Sequence, residues 1–190
     1  MTLKDFIPSA NSLFCPEQKG LLAVSGGLDS SVLCHLMHQA GYPFAIAHCN
    51  FHLRPSDCDR DEAFVRQLAA EYDVECFVAQ CDTEAYAHQH RLSIEEAARE
   101  MRYAFFEQMR QEHHLAYIAT AHHRDDAVET FFINLLRGSG LAGLHGIPAR
   151  NGHIVRPLLP FSRQDIEAYA EEPHLQHVED STNATTLYQR

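Results

Sequence analysis

Short apolar runs and amphipathic stretches alternate along most of this chain. Leu21 to Val24 is brief, uninterrupted and preceded by Gly20, which predicts a buried strand. Ser25-Gly26-Gly27 breaks the run. Val32, Leu33, Leu36, Met37 and Ala40 then recur at helical spacing, with Asp29, Ser30 and Ser31 as N-cap candidates. Phe44 to Asn50 reads as a second strand with a polar C-terminal end, followed by a loop carrying the cation Arg54. Asp59 to Tyr72 predicts a helix with Phe64, Val65, Leu68, Ala69 and Tyr72 on one face, and Glu75 to Ala79 a third strand. Ser93-Ile94-Glu95-Glu96 is a capping box opening a helix with Ile94, Ala97, Ala98, Met101, Ala104 and Phe105 inward. Ala116 to Thr120 gives the fourth strand. After it, Ala127, Val128, Phe131, Phe132, Leu135 and Leu136 predict the buried face of another helix.

The ends of the chain are less regular. Residues 1 to 19 suggest a short segment with a single helical turn, ended by Pro16. The Gly-rich stretch 138–146 suits a substrate loop, Ile154 to Leu159 a short strand, and Ser162 to Glu171 a last amphipathic helix. Alternating strands and helices imply right-handed crossovers, and so an α/β fold with a mostly parallel sheet and helices on both faces. At 190 residues and 45% apolar composition, one domain spanning 1–190 with a substantial core is expected.

Composition changes the picture in three ways. No run approaches a transmembrane span, and the first residues lack the apolar stretch of a signal peptide, so a cytoplasmic protein is expected. Six cysteines without a C-x-x-C pair read as reduced thiols. The net charge of −11 argues against nonspecific nucleic-acid binding by the domain as a whole. The 14 histidines are scattered and define no metal site by spacing.

The candidate chemistry begins at Ser25-Gly26-Gly27-Leu28-Asp29-Ser30. Strand, Gly-rich turn and helix N-terminus together present free N–H groups and a positive dipole end to an anion, the arrangement of a phosphate site. It is neither a Walker A loop, lacking its Lys, nor a G-x-G-x-x-G fingerprint. On the helix opened by Ser93, Glu95, Arg99 and Arg102 can share a face, which on spacing alone is an ordinary charged surface.

The hexapeptide resembles the PP-loop, S-G-G-x-D-S, of the N-type ATP pyrophosphatases. The wider set resembles the tRNA(Ile)-lysidine synthase family over nearly all of residues 20–190. It comprises S-I-E-E-A-A-R-E-M-R-Y from Ser93, A-H-H-R-D-D-A-V-E-T from Ala121, R-G-S-G-L-A-G-L-H-G from Arg137, R-P-L-L from Arg156 and E-D-S-T-N from Glu179. The resemblance implies ATP and Mg²⁺ as cofactors, L-lysine and a CAU-anticodon tRNA(Ile) as partners, and no membrane, with a homodimer left open. It implies nucleotide binding by Ser25, Gly26, Gly27, Leu28, Asp29 and Ser30, catalysis by Asp29, Arg102 and Asp126, and metal binding by Asp29 and Asp126. Asp29 is otherwise a helix cap, as is Asp125. Glu129, Arg137 and Gly138 are substrate candidates, and Glu129 reads equally as a solvated helix residue. Family members usually continue beyond E-D-S-T-N into tRNA-binding regions, so the chain is expected to hold the catalytic domain without them. The rivals are a PP-loop tRNA thiolation enzyme, disfavoured by the missing C-x-x-C, a metabolic amidation ligase, and a non-catalytic nucleotide-binding module.

Overall fold

A computed structural model describes residues 1–53, 55–137 and 146–178, with Pro55 and Ser56 described in backbone only. The elements run α1 (Leu3–Asn11), β1 (Gly20–Ala23), α2 (Leu28–Gln39), β2 (Phe44–Asn50), α3 (Pro55–Glu71), β3 (Cys76–Gln80) and α4 (Thr83–His90). They continue with α5 (Ile94–Glu112), β4 (Ile118–Ala119), α6 (Arg124–Leu136), β5 (Arg150–Asn151), β6 (Ile154–Val155) and α7 (Arg163–Glu171).

The strands form one sheet in the order β3-β2-β1-β4-β6-β5, parallel except for the antiparallel β5–β6 pair. Because side chains alternate across a strand, neighbouring residues enter opposite cores. Leu22, Phe44, Ile46, Ala119 and Val155 pack under α1, α2, α3 and α7, with Phe6, Leu33, Leu36, Val65 and Ile166. Leu21, Ala45, Ala47 and Ile118 pack under α5, against Phe106 with Met101, Phe105 and Met109 around it. Small strand residues there make room for aromatic helix residues. Both faces are covered, which is why the strands read as continuous apolar runs.

Gly20 permits a close approach: a Cβ at this position would land in the ring of Tyr117, which stacks on Phe14 at 4.1 Å. Pairing beside β4 outlasts its two residues, since Ala116 N–H donates to Lys19 O (2.9 Å) and Thr120 N–H to Val155 O (3.0 Å).

Several elements differ from expectation. The first residues form a nine-residue helix that contains Pro8, opened by a box in which Thr2 N–H and Oγ1 donate to Asp5 Oδ2. Burial of Phe6 and Ala10 offsets the backbone hydrogen bond that proline forfeits. Helix α4, capped by Asp82 and ended by Arg91 in the left-handed region (φ 58°), has no counterpart in the apolar periodicity. The C-terminal edge is a hairpin closed by Gly152-His153, with Gly152 at φ 59° as a glycine-first two-residue turn requires. Helix α6 has the expected apolar stripe but buries none of it: Val128, Phe132, Leu135 and Leu136 are exposed, the last at 86%. Spacing identifies a stripe without saying what lies against it. Arg54, most of the Gly-rich loop and residues 179–190 lie outside the described residues. Among those described, no helix is long and apolar enough to cross a membrane.

Candidate active site

Strand β1 lies between β2 and β4, so the chain leaves it in one direction and later returns on its other side. A crevice opens at such a switch point, beyond the carboxyl ends of the strands. Here it is a cavity of about 500 Å³ lined by Ser25, Gly27, Asp29, Ser30, His48, Asn50, Arg99, Arg102, Thr120, His122 and Asp126, among others.

The loop after β1 is shaped by Gly26, whose φ of 99° disfavours any side chain. Gly27 has an ordinary φ of −69° and is itself the N-cap of α2. Leu28, Asp29 and Ser30 therefore fill the first turn, and none of the three caps the helix, contrary to expectation for Asp29. Ser30 Oγ donates to Gly27 O at 2.9 Å, while Gly26 N–H and Gly27 N–H reach Ser30 Oγ and Ser25 Oγ only at 3.3 Å. Long bonds of this kind yield readily to a phosphate oxygen.

Freed from capping, the Asp29 carboxylate meets Arg163 at the start of α7, with Nη1 donating to Oδ2 at 2.6 Å. Among the described residues its Oδ1 is buried without a hydrogen-bond partner, 3.9 Å from Nε2 of His123. Burial pushes the Asp29 carboxyl above its usual range, against the pull of Arg163 and His123 and with the help of neighbouring Asp126.

At α6 the cap expected of Asp125 is made by Asp126 instead. Asp126 Oδ2 accepts the His123 N–H at 2.8 Å and completes the cap, whereas Asp125 Oδ2 accepts the Arg163 N–H at 2.5 Å. The N-termini of α2, α6 and α7, capped by Gly27, His123 and Ser162, are thus tied together around Asp29. Three positive dipole ends and a guanidinium make a strongly anion-attracting corner, and the carboxylates partly neutralise it.

Arg102 lines the opposite wall, its guanidinium 5.1 Å from the ring centre of Phe51, and Arg99 lies similarly over Tyr103. Asp29, Arg102 and Asp126 therefore share one cavity. Glu129 is exposed one turn beyond Asp126 and Arg137 is exposed at the end of α6, neither lining the cavity; Gly138 lies outside the described residues.

Other residues of the site carry no signal in spacing. His48 is 4% exposed, and burial pushes it below the usual histidine range. Neutral, it donates from Nδ1 to Val24 O at 2.8 Å, leaving Nε2 without a partner. Arg156, in R-P-L-L, is buried with Nη1 on Pro148 O at 2.6 Å and Nε unpartnered. Arg163 is joined to Asp29 across 134 positions of sequence. Only the R-P-L-L motif pointed toward any of the three.

Mg²⁺ fits this donor set. Among the described residues no cluster of three or more His, Cys, Asp or Glu could cage a metal. A pair of carboxylates with an orphaned oxygen instead matches the way Mg²⁺ is held, by one or two carboxylates completed by substrate phosphates and water.

The PP-loop domain family matches residues 3–190. The chain is 49% identical over 178 residues to the tRNA(Ile)-lysidine synthase of Bacteroides thetaiotaomicron, covering 94% of this chain and 42% of that relative. It is 45% identical over 174 residues to the protein of that name from Chlorobaculum tepidum, covering 90% and 53%. It thus spans roughly half or less of these relatives' lengths. Among solved structures, the U34-tRNA thiolase NcsA from Methanococcus maripaludis with its [4Fe-4S] cluster superposes with a TM-score of 0.72 at 15% identity, covering 99% of this chain and 68% of that one. The NH3-dependent NAD synthetase from Campylobacter jejuni gives 0.64 at 14%, covering 93% and 75%. At those identities the structures speak for the fold alone.

Proposed function

The chain belongs to the PP-loop family, and from that premise we propose that it performs the ATP-dependent chemistry of tRNA lysidine formation. The observation that carries this reading is the meeting of the Ser25–Ser30 loop, Asp126 and Arg102 around one cavity. The names of the lysidine synthase relatives support the choice of tRNA(Ile) over other PP-loop substrates.

In the proposed reaction ATP seats its pyrophosphate end against the loop and the first turn of α2, where N–H groups and the dipole offset its charge. O2 of the wobble cytidine in a CAU anticodon attacks the α-phosphorus, and the bond to pyrophosphate breaks. The ε-amino group of free lysine then attacks C2 of the base, AMP departs, and the nitrogen loses a proton. Mg²⁺, held by Asp29 and Asp126, would supply charge neutralisation on the leaving pyrophosphate. Arg102 faces the same space and stabilises charge that develops at phosphorus. Glu129 is our candidate for the lysine ammonium, with Arg137 and Gly138 on the substrate side. We place the protein in the cytoplasm, where its tRNA substrate resides.

With 15 basic against 26 acidic side chains, the domain repels a polyanion at long range. tRNA recognition is accordingly assigned to regions like those that lengthen the relatives. Incubation with ATP, Mg²⁺, lysine and CAU-anticodon tRNA, followed by nucleoside mass analysis, tests the reaction. Lysidine formation that improves when a relative's remaining C-terminal region is supplied is the expected result. Thiolated or unmodified nucleosides in both cases would overturn it.

A further inference from the structure

Arg163 stands at the first position of α7, behind the Ser162 cap, and belongs to none of the motifs that identify the family. Its guanidinium is held from two sides: Nε donates to Glu167 Oε1 at 2.8 Å within its own helix, and Nη1 donates to Asp29 Oδ2 at 2.6 Å. Its backbone N–H is fixed on Asp125 Oδ2 at 2.5 Å. A planar fork held at two points on a backbone fixed at a third has little freedom, so the oxygen it grips is fixed in turn. The grip takes one oxygen of Asp29 and leaves the other, Oδ1, buried and without a hydrogen-bond partner. Among the described residues no other side chain donates a hydrogen bond to that carboxylate; His123 comes no nearer than 3.9 Å.

We propose that Arg163 is a positioning residue for the adenylyl-transfer site, clamping Asp29 through Oδ2 so that Oδ1 is presented to the metal–nucleotide complex. This rests on the reading of Asp29 as a metal-binding carboxylate. The side chains that orient metal ligands commonly change metal affinity by about 10- to 100-fold when removed, although they never touch the metal. A plain staple between α7 and α2 has the same geometry but a different consequence, since it acts on stability and leaves binding alone.

The test measures binding rather than turnover. Mn²⁺ is titrated in the presence of ATP, with free Mn²⁺ followed by electron paramagnetic resonance, and each protein is melted in parallel. Arg163→Ala is expected to weaken Mn²⁺–ATP binding by about tenfold or more. Arg163→Lys, which keeps the charge on a less rigid stem, should recover part of the loss and covers the case in which the alanine variant fails to fold. Glu167→Ala removes the other side-chain partner of Arg163 without touching Asp29 and should stay within about threefold of wild type, because the cap and Asp125 still hold the residue. Wild-type binding in both Arg163 variants, with only a lowered melting temperature, makes Arg163 a staple and overturns the inference. Asp29→Asn separates that failure from a deeper one. If this variant binds Mn²⁺–ATP like wild type, the reading of Asp29 falls and the proposal with it; if it loses binding while Arg163→Ala keeps it, only the positioning role is wrong.

Discussion

Two carboxylates at the C-terminal edge of the sheet have opposite surroundings. Glu62, on α3, accepts hydrogen bonds from Asn50 Nδ2 (2.9 Å), Gln80 Nε2 (2.8 Å) and Arg66 Nη2 (2.8 Å). Desolvation opposes its charge, but those donors hold its carboxyl down at about 2. Asp29, on α2, has one strong donor and one orphaned oxygen, and burial pushes its carboxyl up. Both carboxylate oxygens of Glu62 accept hydrogen bonds, and the cluster ties α3 to the ends of β2 and β3. Beside Asp29, His123 Nδ1 also lacks a partner among the described residues. Buried polar groups are normally satisfied, so two such exceptions at a cavity mark where the fold leaves capacity for a ligand. The first carboxylate serves the structure and the second awaits something.

The sharpest way to break that comparison is to make each carboxylate neutral in turn. Asp29→Asn should lower ATP-dependent turnover by about 10³-fold or more. Because burial disfavours the charged form of Asp29, the same substitution should leave the melting temperature at neutral pH unchanged or raised. A large drop in melting temperature would show that Asp29 is structural like Glu62. Arg102→Ala removes a cavity cation that packs over Phe51, and a loss of about 10²-fold in kcat with little change in stability is expected from steady-state kinetics beside a melt. An unchanged kcat returns Arg102 to the ordinary charged face of α5.

Glu62→Ala should behave in the opposite manner. It leaves Asn50, 1% exposed, with an unpaired amide, and should cost about 1–3 kcal/mol in urea unfolding while nucleotide binding survives. The smallest effect expected is a pH dependence. A carboxyl lowered from 4.5 to about 2 stabilises the fold above its ordinary value, and that contribution disappears as pH falls from there toward 2. The urea midpoint difference between wild type and Glu62→Gln should therefore be larger at pH 6 than at pH 3. Asp29 contributes with the opposite sign, because protonation through its raised value relieves a cost of folding.

How much of this was legible in the sequence follows from the range of each interaction. The α/β class, the mostly parallel sheet and the glycine turn at Gly26 rest on local periodicity and turn chemistry, and they read correctly, whereas nothing local specified the order of the strands. The direction of α6 did not, since Phe132 and Leu136 have helical spacing whatever they face. The cap of α2 was misplaced by two residues because Asp29, Ser30 and Ser31 all favour N-caps, whereas the backbone turns earlier at Gly27. The hairpin closed by Gly152-His153 was not read, because strands this short leave no alternation to support it. Arg163, His48 and Arg156 act across the fold, and no spacing rule reaches a partner 134 residues away.

Calorimetric titration of Mg–ATP into wild type, Asp29→Asn and Glu62→Ala tests the central claim most directly. The account predicts a binding isotherm for wild type and for Glu62→Ala, and its loss or severe weakening in Asp29→Asn. Equal binding by wild type and Asp29→Asn, or loss in Glu62→Ala alone, would contradict it.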